Sequence, residues 1–168
     1  MTLEQFEAAV NSLLAIPAMT LATSAGAYPW ASDVYFAASG YDLIFFSSPA
    51  SRHSLNLVAN PFCAATVHPS ASSWREIKGL QMEGIAEPIE GVEPTAQAIL
   101  VYSAKFAFAR DLLANPFQLG KKALNVKAHI FRPNRIHYLD NSLGFGTRFS
   151  VRVENGKASG SLQRDAGH

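Results

Sequence analysis

The chain has 168 residues, of which 48% are hydrophobic and only 16% are charged. A chain of this length can bury a core without disulfide support, and its composition excludes an intrinsically disordered or fibrous protein. Fourteen basic and thirteen acidic residues give a formal net charge of +1, which excludes a broad electrostatic surface for nucleic acid or anionic membranes. Any anion-binding site must therefore be local.

Cysteine usage and the absence of targeting patterns bear on compartment and domain organisation. Cys63 is the only cysteine, so the chain can form neither an intrachain disulfide nor a multi-cysteine metal site. The N-terminus carries no leader pattern, and no apolar run reaches membrane-spanning length. We therefore expect a cytoplasmic protein with one domain over residues 1–168, in which the Gly/Ser-rich residues 156–168 form a flexible tail.

The N-terminal residues predict a helix followed by a hairpin. Thr2 and Gln5 have the spacing of a capping box, and apolar residues then recur every three or four positions, which predicts a helix over residues 2–15. Two β-rich runs separated by a turn-forming stretch follow, and they predict a hairpin. The hairpin strands are residues 19–23 and 30–37.

The middle of the chain is predicted to hold three strands and one short helix. Residues 43–46 are apolar at four successive positions, so both faces of this strand need cover, and we expect one face to meet a partner or a ligand. A helix is predicted at 52–59, ending before Pro61 because proline disfavours helical geometry in the residue that precedes it. Two further strands are predicted at 62–67 and 76–86.

The last third of the chain is predicted to hold helices and then strands. The helical segments are 95–108 and 109–114, and the residues placed for burial are Ile99, Leu100 and Phe106. Two apolar runs at 126–131 and 135–139 predict strands. We expect an interruption between them, because Pro133 cannot donate a hydrogen bond to a strand ladder.

The order of these elements predicts the fold class. Connections as short as those between most of the strands join antiparallel neighbours, since parallel strands need longer crossovers. About six strands with little room for helices between them disfavour a doubly wound parallel sheet. The sequence therefore predicts a mainly β (α+β) fold, a six-stranded antiparallel barrel with flanking helices.

The segment that runs from Phe45 to His53 carries the main chemical signal. An apolar strand ends near Ser47, and a helix then begins with Ser51 and Arg52. The free amides and positive dipole end of a helix N-terminus, together with a guanidinium, are groups that bind phosphate. By local pattern alone, Ser51 can equally be a helix cap and Arg52 a solvated side chain.

Four blocks of sequence resemble a known family in their order and spacing. The blocks are Phe45-Phe46-Ser47-Ser48, Ser51-Arg52-His53, Asn60-Pro61 and Lys78-Gly79-Leu80-Gln81-Met82-Glu83-Gly84-Ile85-Ala86-Glu87. As a set they resemble the FMN-binding split β-barrels related to pyridoxamine 5′-phosphate oxidase. Residues 132–141, with Gly144 and Gly146 beyond them, resemble one branch of that family and extend the similarity over most of the chain.

The resemblance implies a homodimer of six-stranded split β-barrels that binds FMN in two clefts between the subunits. It implies that Arg52 binds the FMN phosphate beside the hydroxyls of Ser47 and Ser51. It also implies that the backbone of residues 32–34 lines the isoalloxazine, and that Gln81 reaches the cofactor from the neighbouring subunit. The cofactor-binding residues implied in this way are Ser32, Asp33, Val34, Phe46, Ser47, Ser51, Arg52, His53 and Gln81.

Two departures from the family pattern bear on activity. The vitamin-oxidising members carry lysine where His53 stands, so we expect phosphate binding to weaken as His53 loses its proton near neutrality. They also end in a basic, aromatic substrate-binding tail that residues 144–168 do not reproduce. Arg135 and His137 resemble the arginine-x-histidine pair that holds the substrate phosphate, but they can also be two partly exposed residues on one strand face. Oxidation of pyridoxamine phosphate is therefore not expected.

Three functions remain open from the sequence. The leading hypothesis is an FMN-dependent oxidoreductase, an NAD(P)H-linked reductase or an oxidase acting on a small molecule, in which the flavin accepts a hydride and no catalytic side chain is required. The second is a non-catalytic carrier or sensor that binds flavin or haem. The third is a dimer without a cofactor.

Other reactive residues give weaker signals. The five histidines show no helical i, i+4 pair and no companion carboxylate, so a metal site is not expected. Asp33 and Glu83 form a carboxylate pair only if the fold brings them together. Cys63 lies in an apolar run without a nearby cation, where a thiol is inert. Trp74 and Arg75 close a polar loop, where they either pack or edge the cofactor cleft.

Overall fold

The computed structural model describes residues 1–109 and 126–165. The α-helices with both ends in these ranges are α1 (Leu3–Leu14), α2 (Arg52–Ala59) and α3 (Val92–Lys105). The strands are β1 (Ala18–Ala25), β2 (Tyr28–Ser39), β3 (Asp42–Ser47), β4 (Phe62–Val67), β5 (Lys78–Pro88), β6 (Lys127–Asp140), β7 (Arg148–Glu154) and β8 (Lys157–Arg164). In these ranges no helix is both long enough and apolar enough to cross a membrane.

Helix α1 begins at the predicted capping box. The Thr2 hydroxyl accepts a hydrogen bond from the Gln5 amide at 3.2 Å, and the Gln5 side chain accepts one from the Thr2 amide at 2.9 Å. Both bonds satisfy amides that the first helical turn leaves without a partner. The apolar face of α1 then packs into the main core, where the ring of Phe6 meets that of Tyr138 edge to face.

The strands form one antiparallel sheet in the order β3-β2-β1-β4-β5-β6-β7-β8. Strand β6 also pairs with β3. The first and last strands of the run β3-β2-β1-β4-β5-β6 are therefore hydrogen-bonded to each other. The N-terminal half of β6 pairs with β3, and its C-terminal half pairs with β7 along the same edge. The predicted fold class is confirmed: a mainly antiparallel split β-barrel with flanking helices.

Strand β3 is covered on both faces, as its four successive apolar residues predict. Phe45 is fully buried on the side of the main core. Ile44 is buried on the opposite face, in a second cluster with Ala98 of α3 and Ala128 of β6. The cover on both faces of β3 therefore comes from the chain itself, and the prediction that one face meets a partner or a ligand is wrong.

The strand interruption predicted at Pro133 is wrong, because β6 continues through that residue. Glu83 of β5 pairs with Arg135, whereas Gly84 pairs with Pro133, so Asn134 is an extra residue in the ladder. Such a bulge leaves one residue unpaired and tolerates a proline. With this local break in pairing, β6 stays one continuous strand that pairs with β3, β5 and β7.

Three smaller predictions also need correction. Glu76 lies in a 3-10 turn, and β5 begins two residues later, at Lys78. Helix α3 begins at Val92, before the predicted start at residue 95. Leu100 is exposed on the solvent side of α3, whereas Phe106 is buried as expected. Of the helical segment predicted at 109–114, residues 110–114 lie outside the described residues.

The tail predicted at residues 156–168 is largely a strand. Residues Lys157–Arg164 form β8, which pairs with β7 across a two-residue turn. In that turn Asn155 and Gly156 both have positive φ, 51° and 69°. Asn-Gly favours this turn because both residues adopt left-handed backbone geometry readily. The last three residues, 166–168, lie outside the described residues.

Candidate functional site

The candidate site lies where β3 ends and α2 begins. Ser51 is the N-cap of α2, and its hydroxyl accepts a hydrogen bond from the Ser54 amide at 3.3 Å and donates one to the Ser54 hydroxyl at 2.9 Å. The preceding turn is fixed by a bond from the Ser51 amide to the Ser48 carbonyl at 3.0 Å. The turn therefore holds the end of β3 and the start of α2 in one fixed arrangement.

Three polar side chains meet at this corner. The Ser47 Oγ atom lies 3.3 Å from the Ser51 Oγ atom, and His53 Nε2 lies 2.5 Å from the first and 3.1 Å from the second. Burial lowers the pKa of His53 below its ordinary value of 6.5, so its imidazole is neutral at neutral pH. In the described part of the chain, no carboxylate forms a hydrogen bond to these three groups.

Strand β6 adds two residues that sequence reasoning missed. Ser47 pairs directly with Lys127, and Phe45 pairs directly with His129. The buried His129 ring stacks on Phe45, with centroids 5.0 Å apart, and its Nδ1 atom donates to the Lys127 carbonyl at 3.1 Å. Burial lowers the pKa of His129, and the nearby His53 and Lys127 lower it further. No local motif signals these residues, because only the β3–β6 register brings them here.

Arg52 is exposed at the first position of α2, with its guanidinium over the indole ring of Trp30, 4.3 Å from the ring centroid. This cation–π contact holds the side chain against β2. Arg52 forms no ion pair with any carboxylate of the described residues. Its charge therefore stays available to an anion.

The residues predicted to line a ring system divide between the two faces of β2. Val34 is buried in the main core and Ser32 is partly exposed on the same face. Asp33 is exposed on the opposite face, where it accepts a hydrogen bond from the Thr20 hydroxyl at 2.7 Å. A backbone contact to a ligand, as predicted for all three, does not need their side chains on one face.

Phe46 does not join the polar corner. Successive residues of a strand point to opposite faces, so Phe46 points away from the face that carries Ser47. Its ring packs edge to face on Tyr102 of α3, with centroids 4.8 Å apart. The structure therefore gives Phe46 a packing role beneath α3.

Gln81 lies on the outer face of the sheet, in a polar row that crosses six strands. Each residue of the row pairs directly with the next, and the members are Asp33, Thr20, Thr66, Gln81, His137 and Ser150. Side chains of directly paired residues lie on the same face. Asp33 and Gln81 therefore share a face, separated by three strand spacings of about 4.8 Å, or roughly 14 Å.

The same register decides two other questions from the sequence. Glu83 lies two residues beyond Gln81 on β5, so Asp33 and Glu83 do not form a carboxylate pair. Instead Glu83 forms an ion pair with Arg135 at 3.6 Å. His137 and Arg135 share one face, and His137 is only partly exposed, because Asp165 lies 2.9 Å from its Nδ1 atom.

The remaining candidates fit structural roles. Burial raises the pKa of the Cys63 thiol to about 12, which keeps it protonated and unreactive at neutral pH. The described residues include no cluster of histidine, cysteine and carboxylate groups that could hold a metal ion. Trp74 packs against Phe145, at 5.9 Å between ring centroids, and under the guanidinium of Arg75.

The donor set at the corner between β3 and α2 suits one class of ligand. It combines two hydroxyls, an imidazole, the N-terminal amides of α2 and a guanidinium without an acidic partner among the described residues. These groups donate hydrogen bonds or carry positive charge, which is what the terminal phosphate of a cofactor requires. Such a set does not suit a hard metal cation, which needs carboxylate or carbonyl oxygens.

Solved structures with the same fold include three from different bacteria. A heme binding protein from Mycobacterium smegmatis is 21% identical, with a TM-score of 0.63 over 82% of this chain and 53% of its own. Campylobacter jejuni ChuZ is 18% identical, with a TM-score of 0.72 over 95% of this chain and 63% of its own. This chain therefore spans less than two thirds of either protein.

The third structure matches along most of both chains. PhzG from Burkholderia lata, solved with tetrahydrophenazine-1-carboxylic acid, is 16% identical, with a TM-score of 0.61 over 97% of this chain and 90% of its own. A search of curated proteins returns no match. The family model for pyridoxamine 5′-phosphate oxidase matches residues 5–138, which include the whole polar corner. This chain belongs to the pyridoxamine 5′-phosphate oxidase family.

Proposed function

We propose that the protein binds FMN, with the cofactor phosphate at the corner between β3 and α2, and acts as an FMN-dependent oxidoreductase on a small molecule. The observation that carries the proposal is the convergence of Ser47, Ser51 and His53 at the N-terminus of α2, beside Arg52. The family to which the chain belongs supports flavin as the cofactor. Because the formal net charge of the protein is only +1, its affinity for an anion must come from this local donor set and not from its overall charge.

Each part of the proposed site has a defined task. The two hydroxyls and the α2 amides donate hydrogen bonds to the phosphate, and Arg52 supplies a charge-assisted contact. The backbone of residues 32–34 on β2 lies alongside the ring, and Gln81 contacts it from a second subunit. When bound, FMN supplies hydride transfer between a reduced nicotinamide and the small-molecule substrate.

A homodimer is part of this proposal. The outer face of β1, β4 and β5 exposes small and apolar side chains, among them Ala22, Ala64 and Phe62, which is 68% exposed. Gln81 lies on the same face. A second copy packed on this face would cover Phe62, and it would bring its own Gln81 towards the neighbouring cofactor.

A catalytic role for the corner itself is not part of the proposal. His53 is held between two serine hydroxyls, so its Nε2 atom is engaged in orienting them.

The departures from the vitamin-oxidising members at residue 53 and over residues 144–168 argue against pyridoxamine phosphate as the substrate. The single cysteine supports a cytoplasmic location, which stays a prediction.

The test is an absorbance spectrum of the freshly purified protein, followed by titration with FMN. We expect flavin bands, and bleaching of those bands on a catalytic timescale when NADH or NADPH is mixed in without oxygen. A Soret band in place of flavin bands would assign haem. A protein that binds FMN but stays yellow with both nicotinamides would be a flavin carrier, and a colourless protein that takes up no FMN would refute the proposal.

A further inference from the structure

Lys127, at the first position of β6, lies beside the polar corner although it is far from it in sequence. Its direct partner across the β3–β6 ladder is Ser47. Directly opposed residues in an antiparallel pair have Cβ atoms about 4.5–5.5 Å apart, with both side chains on one face of the sheet. The lysine side chain therefore starts next to the serine hydroxyl that contacts Ser51 and His53.

Alternation along β6 gives the same face for Lys127. Ala128 is buried on the opposite face, in the cluster with Ile44 and Ala98 of α3. Lys127 and His129 flank Ala128, so both point away from α3. The electrostatic effect of Lys127 on His129 agrees with this arrangement, since a nearby cation disfavours protonation of His129.

The charge of Lys127 has no acidic partner among the described residues. The ion pairs in that part of the chain join Arg132 to Glu87, Arg135 to Glu83 and His137 to Asp165. Lys127 is exposed, and its ammonium sits on a flexible four-carbon stem, which gives it reach around its Cβ position. An anion at the corner would therefore be within range of this unpaired cation.

We propose that Lys127 is a phosphate-binding residue, and that it and Arg52 supply the two positive charges of the FMN site from opposite sides of Ser47. This inference rests on the proposed function and deepens it. His53 then acts as a positioning residue that orients the Ser47 and Ser51 hydroxyls towards the ligand. The β3–β6 register thus places a cation at the corner although residue 53 is a neutral imidazole.

The experiment compares affinity for FMN with affinity for riboflavin, which lacks the phosphate. Dissociation constants come from quenching of flavin fluorescence in the wild type, K127Q, K127R and K78Q. Lys78 begins β5 and pairs with Asp140, at the other end of β6, so K78Q makes the same charge change far from the corner. We expect K127Q to lose about 10- to 100-fold in FMN affinity and to keep its riboflavin affinity. K127R and K78Q should stay near the wild type.

The outcomes separate this inference from the proposed function. If the wild type does not prefer FMN over riboflavin, the phosphate site itself is refuted. If the wild type prefers FMN and K127Q keeps that preference, only the role of Lys127 is overturned. Equal losses for both flavins in K127Q would also overturn it, because they would show a structural effect on the whole site.

Discussion

The Nδ1 atom of His137 lies 2.9 Å from the Oδ2 atom of Asp165, and this contact joins the C-terminal half of β6 to the residue that follows β8. The other carboxylate oxygen of Asp165 accepts a hydrogen bond from the Ser150 hydroxyl at 2.7 Å. Ser150 lies on β7 and is only 1% exposed. One carboxylate therefore holds three strands together near the C-terminus of the described chain.

Replacing Asp165 by alanine should lower the free energy of unfolding by about 1–3 kcal/mol, because the buried Ser150 hydroxyl would lose its acceptor. Glu154→Ala, an exposed acidic residue on the same hairpin, is the matched control and should change little. Urea denaturation of both variants measures the difference. Equal stability of Asp165→Ala and the control would contradict the structural role of this carboxylate.

Asp165 also gives the wild type a defined acid dependence. Burial alone would raise the pKa of this carboxyl, but the hydrogen bonds from His137 and Ser150 outweigh burial and lower the pKa below its ordinary value of 3.8. A lowered folded-state pKa contributes stability that is present above the ordinary value and is lost as the pH falls through the folded value. The difference in stability between wild type and Asp165→Ala should therefore shrink below about pH 4.

Arg52→Ala should reduce FMN affinity about 10- to 100-fold, since it removes a charge-assisted contact to the phosphate. Its matched control is Arg152→Ala, which removes an exposed arginine on β7. Isothermal titration with FMN compares the two variants with the wild type. Undiminished FMN binding by Arg52→Ala would place the phosphate elsewhere.

Buried His129 should make the protein less stable in mild acid. Burial lowers its pKa, so the folded state favours the neutral ring, and the resulting stability is present above about pH 6.5 and is lost as the pH falls through the lower folded value. His129→Phe keeps a ring stacked on Phe45 and cannot titrate. Its stability should fall less steeply below pH 6.5, by up to about 1.4 kcal/mol per pH unit for one proton.

Denaturation at pH 8, 6, 5 and 4 tests this difference in slope. The wild type and His129→Phe should diverge only on the acid side, where His53 still titrates in both proteins. Parallel pH profiles for the two proteins would show that protonation of His129 does not contribute to acid unfolding.

Gly84→Ala should destabilise the barrel by about 3 kcal/mol, because an added Cβ would overlap the Arg132 carbonyl at the bulge between β5 and β6. The control is Gly26→Ala, where a Cβ meets no neighbouring atom and only the positive φ of 70° costs about 1 kcal/mol. Thermal unfolding of both variants ranks them. A smaller loss at Gly84 than at Gly26 would refute the tight packing of the bulge.

Local signals in the sequence were enough to predict the elements that they punctuate. The capping box of Thr2 and Gln5 located α1, and the proline after Asn60 located the end of α2. The hairpin of β7 and β8 carried a comparable signal in Asn155-Gly156, but the Gly/Ser-rich composition favoured a tail instead. At Pro133 the local signal predicts a strand break that does not occur. A bulge that depends on the partner strand removes the penalty for proline there, and the sequence of β6 alone does not show that bulge.

The candidate site was predictable in part. Ser47, Ser51 and His53 lie on one short segment, so their pattern is visible in the sequence and the structure brings them together. Lys127 and His129 reach the corner only through the pairing of β3 with β6. A register between strands distant in sequence depends on tertiary packing, which no local spacing reports.

The position of β6 between two distant partners has a consequence for biosynthesis. Until residues 127–140 leave the ribosome, the strands made earlier expose two unpaired strand edges, one on β3 and one on β5. Unpaired strand edges are sites of aggregation in nascent or truncated chains. A chain that stops before β6 would therefore need a chaperone to stay dispersed, and it would carry the serine half of the corner without its lysine.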